Sequence, residues 1–62
     1  MTTPNLLLID ADILIRAPLA AYLRECGFRV IEAGTSAEAR KCVEDETSAI
    51  DVVLAEALLQ KS

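Results

Sequence analysis

The apolar and polar positions of this chain fall into five segments that predict a strand, a helix, a strand, a helix and a strand in turn. Runs of consecutive apolar residues are typical of strands buried on both faces, and alternation of apolar and polar residues is typical of a half-buried strand. Apolar residues three and four positions apart indicate the helices. The predicted strands are residues 5–10, 28–32 and 50–55, and the predicted helices are residues 13–26 and 36–45.

Local signals define the ends of the first predicted helix. Asp12 is a favoured N-cap residue, and Gly27 suits the position after a helix, where a positive φ is often needed. Pro18 costs ~3 kcal/mol inside a helix, so we expect a kink there or an irregular first turn up to Ala17. The residues expected to form the apolar face are Leu14, Leu19, Tyr22 and Leu23.

The second predicted helix has a weaker start signal. Ser36 is a good N-cap residue, and Glu38 would lie in the first turn, where the helix dipole favours a negative charge. The residues expected to be buried are Ala37, Ala39 or the stem of Arg40, and Val43.

Strands separated by helices predict parallel pairing through right-handed crossovers, and therefore an α/β fold of βαβαβ form. The carboxyl ends of parallel strands meet at one edge of the sheet, where open α/β folds place their sites. Asp10 and Asp12 follow the first strand and Glu56 follows the third. The sequence therefore predicts an acidic cluster at that edge, the usual plan for holding a divalent cation near a phosphate.

Size and composition narrow the classes of function. A chain of 62 residues makes one domain at most, and one that buries little surface unless it associates. The net charge of −4 and the scarcity of aromatic residues argue against a nucleic-acid partner. We see neither a secretory signal nor a membrane span, so we expect a cytoplasmic chain in which Cys26 and Cys42 are reduced thiols without a redox role.

Three stretches resemble one family. The segment from Leu6 to Gly27, LLLIDADILIRAPLAAYLRECG, resembles the start of a bacterial response-regulator receiver domain of the CheY-like type. The continuation FRVIEAGTSAEAR is similar to the second strand and helix of that family, and DVVLAE is similar to its third strand. The resemblance implies the first half of a flavodoxin-like, doubly wound parallel sheet.

The resemblance also implies a site for Mg²⁺ and phosphate, with departures. In the family, two adjacent acids after the first strand and the phosphoaccepting aspartate help to hold magnesium. Asp10 matches the first acid, Ala11 stands where the second is expected, and Asp12 lies one position further on. Glu56 occupies the phosphoacceptor position, and Leu58 falls where a backbone carbonyl completes the metal shell.

These departures leave several interpretations open. Asp10 and Asp12 form either a residual magnesium site or a solvated turn with Asp12 as a cap. Glu56 is either a fixed, phosphate-like charge or a substitution without function; its longer side chain displaces the carboxylate, and a 1 Å misplacement can cost on the order of 100-fold in rate. Arg16 lies one turn into the first helix, either near these acids or, as we favour, in a surface ion pair.

We therefore expect a degenerate receiver-like module of two-component phosphorelay signalling, not an enzyme, that acts by protein–protein contact without phosphorylation. One alternative is a phosphoacceptor served by a histidine kinase, and another is a non-functional fragment of a longer receiver. The third strand, expected at an exposed edge of the sheet, predicts a homodimer or an exchange of elements between chains. The expected interface residues are Val52, Val53 and Leu54.

Overall fold

The computed structural model describes residues 3–45, 47 and 49–55. It contains one sheet of three parallel strands and two helices. The elements are β1 (Asn5–Ile9), α1 (Ile13–Glu25), β2 (Arg29–Ala33), α2 (Ser36–Glu44) and β3 (Val52–Ala55), each within two residues of the predicted bounds. The sheet order β2-β1-β3 places β1 in the centre, and the predicted α/β class is confirmed. The arrangement is consistent with half of a flavodoxin-like fold.

One side of the sheet packs against α1, and the helix makes this contact through a small residue. Leu6 and Leu8 of β1 are buried there against Ala20, which has no exposed surface. Leu14 and Tyr22 were predicted to lie on the apolar face, but they are 81% and 62% exposed. That part of the prediction is wrong, because the helix lies with Ala20 towards the sheet. The remaining members of the cluster are Val30, Leu19, Leu23 and Phe28.

The other side of the sheet packs against α2. Leu7 of β1 is fully buried with Ala33 and Ala39, so the central strand is covered on both faces, as its continuous apolar run predicts. Ala37 and Val43 were also expected to be buried, but both are exposed. The helix therefore covers only part of this face of the sheet.

The first helix begins and ends as its cap residues predict. Gly27 has a φ of +103°, and its amide donates to the carbonyl of Arg24, while the amide of Phe28 donates to the carbonyl of Leu23. These two bonds form a Schellman motif, which satisfies carbonyls that the helix itself leaves open. Pro18 lies within a helix that begins at Ile13, so the expected irregular first turn is not found.

The second helix begins one residue earlier than the cap signal suggests. Thr35, not Ser36, is the N-cap, and its hydroxyl accepts a hydrogen bond from the amide of Glu38 at 3.1 Å. The carboxylate of Glu38 in turn accepts from the amide of Gly34 at 2.7 Å. This reciprocal pair is close to a capping box and ties the β2–α2 turn to the helix.

Candidate functional site at the carboxyl edge of the sheet

Asp10 lies at the end of β1 and is the one described acid that is buried, with only 4% of its surface exposed. Its backbone amide donates to the carbonyl of Ala33, which continues the pairing of β1 with β2 by one bond. Its carboxylate oxygen Oδ1 accepts from the amide of Asp12 at 2.9 Å. The side chain therefore closes the turn that leads into α1, a local role typical of aspartate.

Asp12 is exposed and caps α1, as the sequence predicts. Its Oδ1 accepts from the amide of Leu14 at 3.0 Å, and its backbone carbonyl accepts from the amide of Arg16. A carboxylate at this position satisfies one of the unpaired amides of the first turn and opposes the positive end of the helix dipole. Ala11, between the two acids, is exposed and offers no side-chain ligand.

Arg16 connects three elements at this edge. Its Nε donates to Oε1 of Glu32 in β2 at 3.0 Å, and its Nη1 donates to the backbone carbonyl of Asp10 at 2.8 Å. The predicted ion pair of Arg16 is therefore present, but it is not at the surface, because only 16% of the arginine side chain and 25% of the glutamate side chain are exposed. A Cβ at Gly34 would lie 2.9 Å from Nη1, so a side chain at that position of the turn would make the end of the arginine side chain shift.

Glu32 holds a second cation from the same helix. Its Oε2 lies 3.4 Å from Nη2 of Arg24, which also donates to the carbonyl of Val30. Glu32 is a site residue that was not predicted from the sequence. The feature that could have identified Glu32 is a charged residue at an inward-facing position of a half-buried strand. Arg16 and Arg24, eight residues apart on α1, are the cations opposite it.

Two of the four predicted metal ligands, Asp10 and Asp12, lie close together in the structure. The other two, Glu56 and Leu58, lie outside the described residues. Within residues 3–45, 47 and 49–55, no group of three or more potential metal-ligating side chains is present. The chemistry shown at this edge is therefore hydrogen bonding and charge pairing among the residues of the turn.

The third strand lies at the edge of the sheet next to β1, as predicted. Val52, Val53 and Leu54 are 38%, 50% and 40% exposed, respectively. On the α2 face, Val53 and Ala55 line an open groove of about 590 Å³ beside the helix. The part of the sheet that α2 leaves uncovered is thus apolar.

Both cysteines are free thiols in different surroundings. Cys42 is half-buried against the core, and Cys26 is exposed at the end of α1. A hydrogen bond from the Tyr22 hydroxyl to the sulfur of Cys26, together with the negative charge that this sulfur carries when ionised, raises the pKa of the tyrosine above its ordinary 10.0. Among the described helices, none is long and apolar enough to cross a membrane.

Comparison with known proteins gives one informative match. The chain is 37% identical over 57 residues to the two-component response regulator-like protein APRR7 of Arabidopsis thaliana. The matched stretch is 92% of this chain but only 8% of that protein. No protein-family model and no solved structure matches the chain. Most of this chain is therefore similar to a short part of a response regulator-like protein, and it spans less than a tenth of that protein's length.

Proposed function

We propose that this chain is a receiver-like signalling module that acts by protein–protein contact rather than by accepting phosphate. In this proposal it works in the cytoplasm beside a histidine kinase or another signalling protein of a two-component system. It catalyses no reaction itself and binds neither nucleic acid nor a membrane. The similarity to a response regulator-like protein supports the signalling part of the proposal.

The observation that carries the proposal is that the acids of the β1–α1 turn already serve as hydrogen-bond acceptors. Oδ1 of Asp10 is bonded to the amide of Asp12, and Oδ1 of Asp12 is bonded to the amide of Leu14. Magnesium requires near-octahedral oxygen ligands, and recruiting Asp12 as one would weaken a helix cap that contributes about 1 kcal/mol. Ala11 adds no ligand.

The positive charge of Arg16 at this edge also argues against a bound magnesium ion. The guanidinium of Arg16 lies 2.8 Å from the carbonyl oxygen of Asp10, beside the turn that a cation would have to approach. Its ion pair with Glu32 offsets part of this charge, and the remainder disfavours an approaching cation, with partial burial reducing the screening.

The test is a titration of magnesium, with and without beryllofluoride as a phosphate analogue, followed by NMR at the amides of Asp10 and Asp12. We expect no saturable shift at these positions in the wild-type chain. Asp51, an exposed acid at the opposite end of the sheet, reports non-specific binding of magnesium in the same spectra. A saturable shift confined to Asp10 and Asp12, with phosphate incorporation from a small phosphodonor, would establish the phosphoacceptor alternative.

A gain-of-function variant tests the receiver part of the proposal separately. The Ala11→Asp, Glu56→Asp double variant restores both acids that the family resemblance calls for. We expect this variant to show the saturable magnesium response that the wild-type chain lacks, with Asp10→Asn added as the matched control that abolishes it. A double variant without any response would mean that this edge does not have the geometry of a receiver.

A further inference from the structure

Two residues of β2 present their backbone groups to the side of the strand that faces away from β1. The amide of Arg29 donates to the carbonyl of Pro4, so the backbone of Arg29 faces β1. Backbone groups of successive strand residues point to opposite sides in the plane of the sheet, so those of Val30 and Glu32 point away from β1. Outward amides and carbonyls of this kind are a template for another strand.

The side chain of Arg24 occupies part of this outer edge. Its Nη2 donates to the carbonyl of Val30 at 3.1 Å and lies 3.4 Å from Oε2 of Glu32. Arg24 is in the last turn of α1, so its side chain reaches from the helix to the edge of the sheet. The guanidinium thereby engages one of the two outward carbonyls of β2.

Glu32 holds the guanidinium of Arg24 in place. Its other carboxylate oxygen, Oε1, accepts from Nε of Arg16, and only 25% of the glutamate side chain is exposed. A carboxylate bound through both oxygens has little freedom to turn away from Arg24. The side chain of Arg24 is itself 50% exposed, so its charge stays in contact with water while it covers the edge.

We propose that Arg24 closes the outer edge of β2 to pairing with another strand. An added strand would need the carbonyl of Val30 as an acceptor, so it would have to displace the guanidinium or bury it against the new backbone. Removing an ionised group from water costs more than a typical hydrogen bond contributes. The closure depends on residues of α1 and β2 alone and is independent of the proposed function.

Loss of the Arg24 side chain would open this edge to β2 of a second copy. In an antiparallel pair centred on Ile31, Val30 of one copy opposes Glu32 of the other. The outward carbonyl of Val30 would then accept from the outward amide of Glu32, and the same bond would form a second time by symmetry. The carbonyl that Arg24 engages in the wild-type chain is therefore one that the new ladder requires.

The test compares the association of Arg24→Ala, Arg40→Ala and the wild-type chain by sedimentation equilibrium. Both variants lose one positive charge, but Arg40 is exposed on α2, on the opposite face of the sheet from α1. We expect the association constant of Arg24→Ala to rise by roughly tenfold or more, the factor that corresponds to one hydrogen bond to a charged group. The constant of Arg40→Ala is expected to stay near the wild-type value.

Hydrogen exchange measured by NMR locates the contact. In associated Arg24→Ala, the amides of Val30 and Glu32 are expected to exchange more slowly than in the wild-type chain at the same concentration, because they become donors in the new ladder. The amide of Arg29 already donates to Pro4 and is the internal reference.

Urea unfolding shows whether each variant is folded. If Arg24→Ala does not unfold cooperatively, Arg24→Gln provides the same test, because its side chain keeps most of the stem and ends well short of the position of Nη2. A folded variant that associates no more strongly than the wild-type chain overturns the proposal. So does an equal gain in Arg40→Ala, which would assign the effect to net charge, or association without slower exchange at Val30 and Glu32, which would assign it to another surface.

Discussion

Replacing Leu7 with alanine tests the packing of the central strand most directly. Leu7 lies in the middle of β1, pairs with Ile31 on one side and Val53 on the other, and has no exposed surface. Its side chain is held between the sheet and α2, among residues such as Ala33 and Ala39 that cannot extend to fill a void. We expect the variant to lose much of its stability.

The size of the loss follows from burial. A buried Leu→Ala change costs about 2–5 kcal/mol, towards the upper end where the surroundings cannot collapse. A chain of 62 residues has a total free energy of unfolding of roughly 3–9 kcal/mol at the usual 0.05–0.15 kcal/mol per residue. Leu7→Ala therefore removes between a quarter of the stability and all of it.

Urea unfolding followed by far-ultraviolet circular dichroism measures the effect, since the chain has no tryptophan to report on packing. An unchanged m-value with a lower midpoint shows that stability, and not the compactness of either state, has changed. The measurements should be made at a single low protein concentration, because any self-association adds to the apparent stability.

Leu14→Ala is the matched control. Leu14 is 81% exposed on α1, and alanine is the better helix former, so we expect a change within about 0.5 kcal/mol. Similar losses of stability in the two variants would refute this expectation. That result would mean that Leu14 is buried, as the spacing of apolar residues in α1 first suggested.

Two further predictions concern α1 and its end. Tyr22, the single tyrosine, is expected to titrate above its ordinary pKa of 10.0 by ultraviolet absorbance, and Cys26→Ala is expected to lower that pKa towards the ordinary value. The folded chain holds the phenolic proton more tightly, so this stabilisation is present below the ordinary pKa and disappears as pH rises through the raised one; an unchanged titration in Cys26→Ala would contradict the assigned cause. Gly27→Ala is expected to cost about 1–2 kcal/mol in urea unfolding, because φ is +103° there and a Cβ meets no neighbour that would add a clash. Gly27→Asn, which tolerates positive φ, should lose less.

Most of the fold can be predicted from the sequence because its signals are local. The three consecutive leucines of β1 predict a strand covered on both faces, and Asp12 and Gly27 delimit α1. The orientation of α1 could not be predicted in this way. Large apolar residues dominate a helical pattern, yet Ala20 faces the sheet because a small side chain lets the helix approach closely.

At the site, only roles that depend on neighbours in the sequence could be predicted. The cap role of Asp12 needs only its neighbours and could be predicted. The role of Arg16 could not, because its partner Glu32 and the adjacent Gly34 come from a strand and a turn 16 and 18 residues later in the chain. The burial of Asp10 likewise depends on how the ends of β1 and β2 lie side by side.

The central position of β1 has a consequence for how the molecule opens. β2 and β3 are each hydrogen-bonded to β1 and lie on opposite sides of it. Detachment of either outer strand breaks one ladder, whereas detachment of β1 breaks both. β3 detaches at lower cost than β2, because Val52, Val53 and Leu54 are exposed while Val30 and Ala33 of β2 are buried, and its detachment leaves the β1–α1–β2 unit intact. In hydrogen-exchange terms, amides in the β1–β2 ladder should open only with global unfolding, while those of β3 exchange through a lower-energy local opening. β3 is thus the strand of the sheet that opens locally at the lowest free energy.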